Sequence, residues 1–315
     1  MSAVRRARAQ FGAEADASGR FVRQESRFRD TVTADGSSGF AAAPGRYHLY
    51  VSLACPWAHR AIIVRRLKRL ESVISMSVVD PVRDERGWAF REGPGHGPDP
   101  VNGFAFLAEA YLASDPSFSG RVTVPVLWDR QTGRIVNNES AEVLRILNSA
   151  FDRWGDSGLD LYPAELRGEI DAVNDGIYRD VNNGVYRAGF ATTQAAYDEA
   201  FDALFAALEG LDQRLQGQRY LVGEHLTEAD WRLFTTLIRF DAVYVGHFKC
   251  NLRRIVDYPA LWPYLRDLYQ VAGVAQTVSF DHIKRHYYVT HDSINPTGIV
   301  PKGPALDLSA PHGRG

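Results

Sequence analysis

The sequence predicts an α/β unit followed by an all-α unit. Three observations carry this. A β-prone run, a helical stretch and a second β-prone run follow one another over residues 48–79, and a hairpin pattern occupies 122–137. From about Leu159 onward the apolar residues recur almost entirely at helical spacing. The 315 residues are enough for one large or two ordinary domains with real cores.

Residues 1–43 are polar, rich in Arg, Ala, Gly and Ser, and weakly periodic. They read as an N-terminal arm that wraps the domain or stays partly disordered. The first domain is expected over 44–153. In it, His48–Leu53 predicts a strand, Trp57–Leu70 a helix and Val73–Val79 a strand. Such a βαβ unit implies parallel strands and a crossover helix. A Gly/Pro-rich insert follows over 80–120, with a short helix expected at Phe106–Ala113. A loop of this length inside a domain is usually functional. Val122–Asp129 reads as a strand entered through Pro125, and Arg134–Asn137 as its hairpin partner across Thr132-Gly133. Asn138-Glu139-Ser140 opens a helix to about Leu147.

The helical domain is expected over 154–295, with helices at Glu165–Val181, Thr193–Gln216, Thr227–Phe240, Tyr258–Val271 and Ala275–Arg285. Thr227 followed by Asp230 resembles a capping box with Asp in place of Glu or Gln. The Pro/Gly-rich tail, 296–315, is expected to be irregular.

Composition excludes several classes. Hydrophobic content of 45% and charged content of 23% belong to a globular protein. No apolar run reaches membrane-spanning length. A net charge of −2 gives no field to draw nucleic acid or anionic lipid. Arg5, Arg6 and Arg8 are not followed by an apolar stretch, so no signal peptide is expected. Two cysteines, Cys55 and Cys250, make no disulfide framework, and a reducing cytoplasm is the expected location. His282, His286 and His291 do not form a metal-ligand pattern, and no metal is expected.

The chemistry concentrates at Cys55. It lies where a strand gives way to a helix, with Pro56 at the first helical position, where a missing N–H is no loss. The free N–H groups and the positive end of the helix dipole then face the thiol and favour the nucleophilic thiolate. The alternative is a small buried core cysteine. His59 and Arg60 either add positive charge beside the thiol or point away; spacing does not decide. Three residues after Cys55 stands Ala58, not a second cysteine. Any mixed disulfide on Cys55 must therefore be cleared by an external thiol. Cys250 lacks the strand-to-helix setting and reads as structural.

The layout resembles a glutathione transferase: a thioredoxin-like domain, then a helical glutathione-transferase domain. Val124-Pro125 matches the cis-proline loop of that fold, and Glu139-Ser140 matches the acidic-Ser pair that holds the γ-glutamyl end of glutathione. Four separated motifs narrow the likeness. Cys55-Pro56-Trp57-Ala58, the run Asn182–Phe190, Arg239–Tyr244 and His286-Tyr287-Tyr288 look like the glutathionyl-hydroquinone reductases, the Xi-class transferases. The likeness spans about Phe40 to Pro301.

The resemblance implies a mechanism and a site. Cys55 would attack the sulfur of a glutathionyl-hydroquinone, release the hydroquinone and carry a mixed disulfide that a second glutathione resolves. Tyr186, Tyr244 and Tyr287 match tyrosines that protonate the leaving carbon or hold the phenolic oxygens. Trp88, Arg121, Val124, Glu139 and Ser140 match the glutathione-binding set. Glutathione would be a cosubstrate, and the family implies a homodimer. On the residues alone, Trp88 reads rather as a loop anchor and the tyrosines as packing, while Arg121 also reads as an ordinary surface arginine and Glu139-Ser140 as a helix start. Lysine occurs only at 68, 249, 284 and 302, a bias that accompanies GC-rich coding and leaves a related low-molecular-weight thiol open as donor. Competing readings are a cysteine-type thioltransferase or dehydroascorbate reductase, which needs no phenol pocket, and a non-catalytic binding module on the same fold.

Overall fold

A computed structural model describes residues 15–314; residues 1–14 of the expected arm and Gly315 lie outside the described residues. The chain divides into two units. One comprises Gln24–Leu159 and Asp281–His291; the other comprises Asp160–Phe280 with the flanking described residues 15–23 and 292–314.

The first unit is built on a four-stranded sheet of order β2-β1-β3-β4. Its strands are β1 (Tyr47–Val51), β2 (Ser75–Val78), β3 (Val126–Asp129) and β4 (Arg134–Asn137). β1 pairs parallel with β2 across α1 (Pro56–Leu67), antiparallel with β3, and β3 antiparallel with β4. β1 and β3 are buried along their whole length, as central strands covered on both faces must be. Asp129 is fully buried, and Arg46 grips it with two hydrogen bonds of 2.9 and 2.7 Å where β1 and β3 come into register. β3 begins only after Pro125, which has no N–H to give a ladder. The strand is thus shorter than the expected Val122–Asp129.

The arm covers the open edge of β4. Asp30 N–H donates to Val136, and Asn138 N–H donates to Phe28. Pairing of this kind shields an edge strand. The insert carries α2 (Leu107–Ser114), where Glu109 accepts from the N–H groups of Ala105 and Phe106, both at 2.9 Å. Asp99 accepts from the N–H groups of Val101, Asn102 and Phe104 and from the Tyr50 hydroxyl. These contacts fix the insert onto β1. α3 (Ser140–Ser149) packs against α1.

The helix α9 (Phe280–Thr290) begins later than the expected Ala275–Arg285, and a short 3-10 turn occupies Ala275–Thr277. The reason is tertiary. His282 Nε2 lies 2.7 Å from the Pro94 carbonyl, His286 Nδ1 lies 2.7 Å from the Pro81 carbonyl, and Thr290 Oγ1 accepts from Arg83 N–H at 3.2 Å. Positions 282, 286 and 290 share one helix face. The segment 281–291, expected within the helical domain 154–295, therefore packs with the sheet-bearing unit. Gly95 allows the close approach: it has φ +79°, and a Cβ there would stand 2.9 Å from His282 Nε2.

The second unit is helical: α4 (Arg167–Gly176), α5 (Gly184–Gly189), α6 (Gln194–Gly217), α7 (Glu228–Arg239) and α8 (Leu261–Gln270). α4 runs on into a π-helical segment, Ile177–Asn182, and α7 into another, Phe240–Tyr244. Periodicity at 3.6 residues reads each as a simple continuation, and α5 is not distinguished from its surroundings. α7 is buried on every side and starts in the expected capping box. Asp230 accepts from Thr227 N–H at 2.8 Å, Leu221 N–H at 2.9 Å and the Tyr264 hydroxyl at 2.9 Å. No helix among the described residues is long and apolar enough to cross a membrane.

Candidate active site

Cys55 is the N-cap residue of α1, with extended backbone (φ −77°, ψ 122°) and Pro56 at the first helical position. Its N–H donates to Ser52, and its Sγ lies 3.6 Å from the Val124 carbonyl oxygen. The Val124–Pro125 bond is cis. Cys55 is half-buried. Ala58, one turn on, is fully buried. Cys250 lies in the other unit, fully buried, and burial pushes its thiol pKa up. Protonated and enclosed, it is unsuited to nucleophilic work.

Glu139 caps α3. Its Oε1 accepts from Ala141 N–H at 3.2 Å, and its Oε2 accepts from the Ser26 hydroxyl at 2.9 Å. Ser140 Oγ stands 3.4 Å from Glu139 Oε1 and receives a hydrogen bond of 3.3 Å from Arg60 Nη1. An anion beside this helix start would meet N–H donors, the dipole and a hydroxyl. A carboxylate at the same place can accept from an ammonium group. Arg60 is 1% exposed, and its guanidinium carbon is 4.5 Å from the Trp57 ring centroid. Ser26, on the arm, carries no local signal in the sequence. Its role depends on the arm lying along β4.

Trp88 is buried in the insert. Its ring stacks on His286 at 4.9 Å, and the Arg83 guanidinium carbon lies 4.6 Å from its centroid. Tyr287 is 1% exposed, its ring 5.2 Å from that of His286 and 5.5 Å from that of His291. Trp88 and Tyr287 thus share His286 as a neighbour. Arg121 is half-buried just before the Val124-Pro125 loop.

Tyr186 and Tyr244 belong to the helical unit. Their ring centroids are 6.2 Å apart. Tyr244 lies parallel to Phe248 at 5.4 Å, and Tyr186 is ringed by Phe21, Phe190 and Phe248. A Cβ on Gly189 would come within 2.2 Å of the Phe248 ring, so only glycine permits this packing. Tyr186 follows one π-helical segment and Tyr244 ends the other, a backbone irregularity often found at functional sites. The structure therefore gathers Cys55 with Val124, Trp88 with Tyr287 through His286, and Tyr186 with Tyr244. Among the described residues no group of three or more His, Cys, Asp or Glu is placed to hold a metal ion.

A half-buried cysteine at a helix start, a cis-proline loop at its sulfur and an acidic-Ser helix start define a thiol-binding transferase of thioredoxin-like architecture. Residues 54–150 match the glutathione S-transferase N-terminal domain, and residues 194–267 match the C-terminal domain. The chain belongs to the glutathione transferase family. It is 55% identical over 303 residues to the glutathionyl-hydroquinone reductase YqjG of Escherichia coli, covering 94% of this chain and 92% of that one. It is 56% identical over 290 residues to the glutathionyl-hydroquinone reductase PcpF of Sphingobium chlorophenolicum, covering 92% and 91%. The glutathione-bound structure of YqjG superposes with a TM-score of 0.90 over 91% of this chain and 96% of that one. A Xi-class transferase from Natrialba magadii, 53% identical, gives 0.90 over 91% and 88%. Within the family, the chain groups with the Xi-class glutathionyl-hydroquinone reductases.

Proposed function

We propose that the protein is a glutathionyl-hydroquinone reductase that works through a Cys55–glutathione mixed disulfide. The observation that carries this reading is the half-buried Cys55 at the start of α1 with Ala58, not a second cysteine, one turn later. A lone thiol takes a glutathionyl group and must return it to another thiol. That is the chemistry of a monothiol deglutathionylating enzyme.

The Cys55 thiolate attacks the sulfur of the conjugate, forming an S–S bond as the carbon–sulfur bond breaks. The electron pair of the broken bond stays with the ring carbon, which takes a proton and becomes the C–H of the free hydroquinone. A second glutathione then attacks the mixed disulfide, giving oxidised glutathione and free Cys55. In sum, conjugate and glutathione give hydroquinone and glutathione disulfide, with the thiol proton ending on the ring. Tyr186, Tyr244 and Tyr287 serve to deliver that proton or hold the phenolic oxygens. Glu139 holds the ammonium group of the γ-glutamyl end and Ser140 its carboxylate. Val124 presents backbone groups to the cysteinyl part, and Trp88 and Arg121 complete the glutathione site. We further assign the protein to the cytoplasm, where thiols stay reduced, and to homodimers as in its family.

The test is turnover of a glutathionyl-hydroquinone with added glutathione, following free hydroquinone, for wild type and Cys55→Ala. Turnover lost in the variant, with a glutathione adduct on wild-type Cys55 by intact mass, is the expected result. A readily glutathionylated Cys55 without hydroquinone turnover would move the assignment to a thioltransferase acting on other disulfides.

A further inference from the structure

Ser140 receives its hydrogen bond from an unusual donor, a guanidinium withdrawn almost completely from water. Arg60 stands on α1, is 1% exposed, and donates from Nη1 to Ser140 Oγ at 3.3 Å. A serine hydroxyl has one proton to give and two lone pairs to receive. Arg60 occupies a lone pair. The 3.4 Å separation of Ser140 Oγ from Glu139 Oε1 is long for an O–H···O bond. The Ser140 hydroxyl donates to Glu139 over this long distance, a weak bond that a better-placed anion at the α3 N-terminus can replace. A positive charge behind the hydroxyl, away from water, strengthens that donor toward an anion. The Trp57 face at 4.5 Å holds the guanidinium in place.

We propose that Arg60 is a positioning residue that aims the Ser140 hydroxyl at the α-carboxylate of a γ-glutamyl thiol, so that the enzyme selects thiols carrying that group. The proposal rests on the reading of Ser140 as part of the glutathione site. It also gives a reason for a γ-glutamyl thiol, rather than a low-molecular-weight thiol of another kind, to be the donor. In this role Arg60 acts through Ser140.

The experiment measures binding of two unreactive ligands to the full-length protein. One is S-methylglutathione; the other is the same molecule with 4-aminobutanoyl in place of the γ-glutamyl group, which lacks only the α-carboxylate. Neither is turned over, so the result does not depend on the hydroquinone assignment. The proteins are wild type, Arg60→Lys, Arg60→Gln, Ser140→Ala and Arg60→Lys/Ser140→Ala. Wild type is expected to prefer S-methylglutathione. Each Arg60 variant should lose roughly tenfold in affinity for it, the scale of one charge-assisted hydrogen bond, and nothing for the analogue. Arg60→Lys should cost nothing further in the Ser140→Ala background. An equal loss for both ligands, or a loss that persists without the serine hydroxyl, would overturn the proposal. So would a wild type that ignores the missing carboxylate. A loss in Ser140→Ala with none in the Arg60 variants would remove Arg60 alone. A Ser140→Ala protein that binds both ligands normally would instead remove the reading of Ser140.

Discussion

Arg23 lies over the ring of Tyr186. Its guanidinium carbon is 4.9 Å from the ring centroid, and its Nε donates to Asn183 Oδ1 at 2.7 Å. The arm thus brings a cation against the π face of a proposed proton-donating phenol, and Phe21 of the same segment lies 6.3 Å from that ring. A cation there draws electron density from the ring and makes its hydroxyl a better donor. Arg23→Gln is expected to slow hydroquinone release by about fivefold, taking a cation–π contact as roughly 1 kcal/mol. Glutathionylation of Cys55 by oxidised glutathione should be unchanged. Equal slowing of both reactions would mean that Arg23 only holds the fold.

Cys55 and Cys250 should separate cleanly under a thiol reagent. In native protein only Cys55 should label, because Cys250 is fully buried and its thiol is held protonated. Cys250→Ala should keep full turnover at a stability cost of about 1 kcal/mol for the buried sulfur. Labelling of both thiols at equal rates in folded protein would contradict this arrangement.

The capping box of α7 should be among the most sensitive points of the helical unit. Asp230 is fully buried and ties together Thr227, Leu221 and Tyr264. Asp230→Ala strands these buried donors, and a loss of about 2–4 kcal/mol is expected in denaturant unfolding. A midpoint within error of wild type would show that the helix start is held by packing alone.

Stability should fall on mild acidification, with His48 a main contributor. Burial pushes its pKa down from 6.5 to about 4. Its ring nitrogens lie 2.7 Å from Ser75 Oγ and 2.9 Å from Ser77 Oγ, joining β1 to β2. The folded state keeps the ring neutral while the unfolded chain takes up a proton below pH 6.5. The stabilisation is therefore complete above that pH and is lost as pH falls toward 4. Between pH 7 and pH 5 the loss from this group is about 2 kcal/mol. His247, lowered to about 4 by burial, acts in the same sense. Asp230, raised by burial to about 6, acts in the opposite one. Comparing urea midpoints of wild type and His48→Gln at both pH values isolates the His48 share. An unchanged pH response in the variant would show that His48 is not its source.

Much of the fold was legible because its signals are local. Pro56 after a β-prone run places Cys55 at a helix start, since proline fits only the first turn. Thr227 and Asp230 mark the start of α7, and Thr193 that of α6, through side-chain oxygens that reach their own backbone. The π-helical segments were not legible. One extra residue in a turn leaves almost no trace in an apolar pattern, and what holds it lies elsewhere: Asn182 donates to the Arg232 carbonyl at 3.0 Å and to Thr236 Oγ1 at 2.7 Å on α7. The register of α9 was missed for the same reason, because His282, His286 and Thr290 find their partners about 200 residues away.

The sequence by itself determined the two-part architecture, the placement of Cys55 at a helix start and the absence of a second cysteine one turn on. Each depends on residues adjacent in the chain, whose backbone preferences and capping chemistry act at short range. Only the tertiary structure decided that Ser26 would meet Glu139, that Arg60 would stand behind Ser140, and that Arg23 would cover Tyr186. Those pairs are 80 or more residues apart. Packing of distant segments against one another, and not the pattern of any one segment, brings these guanidinium and hydroxyl groups to their partners.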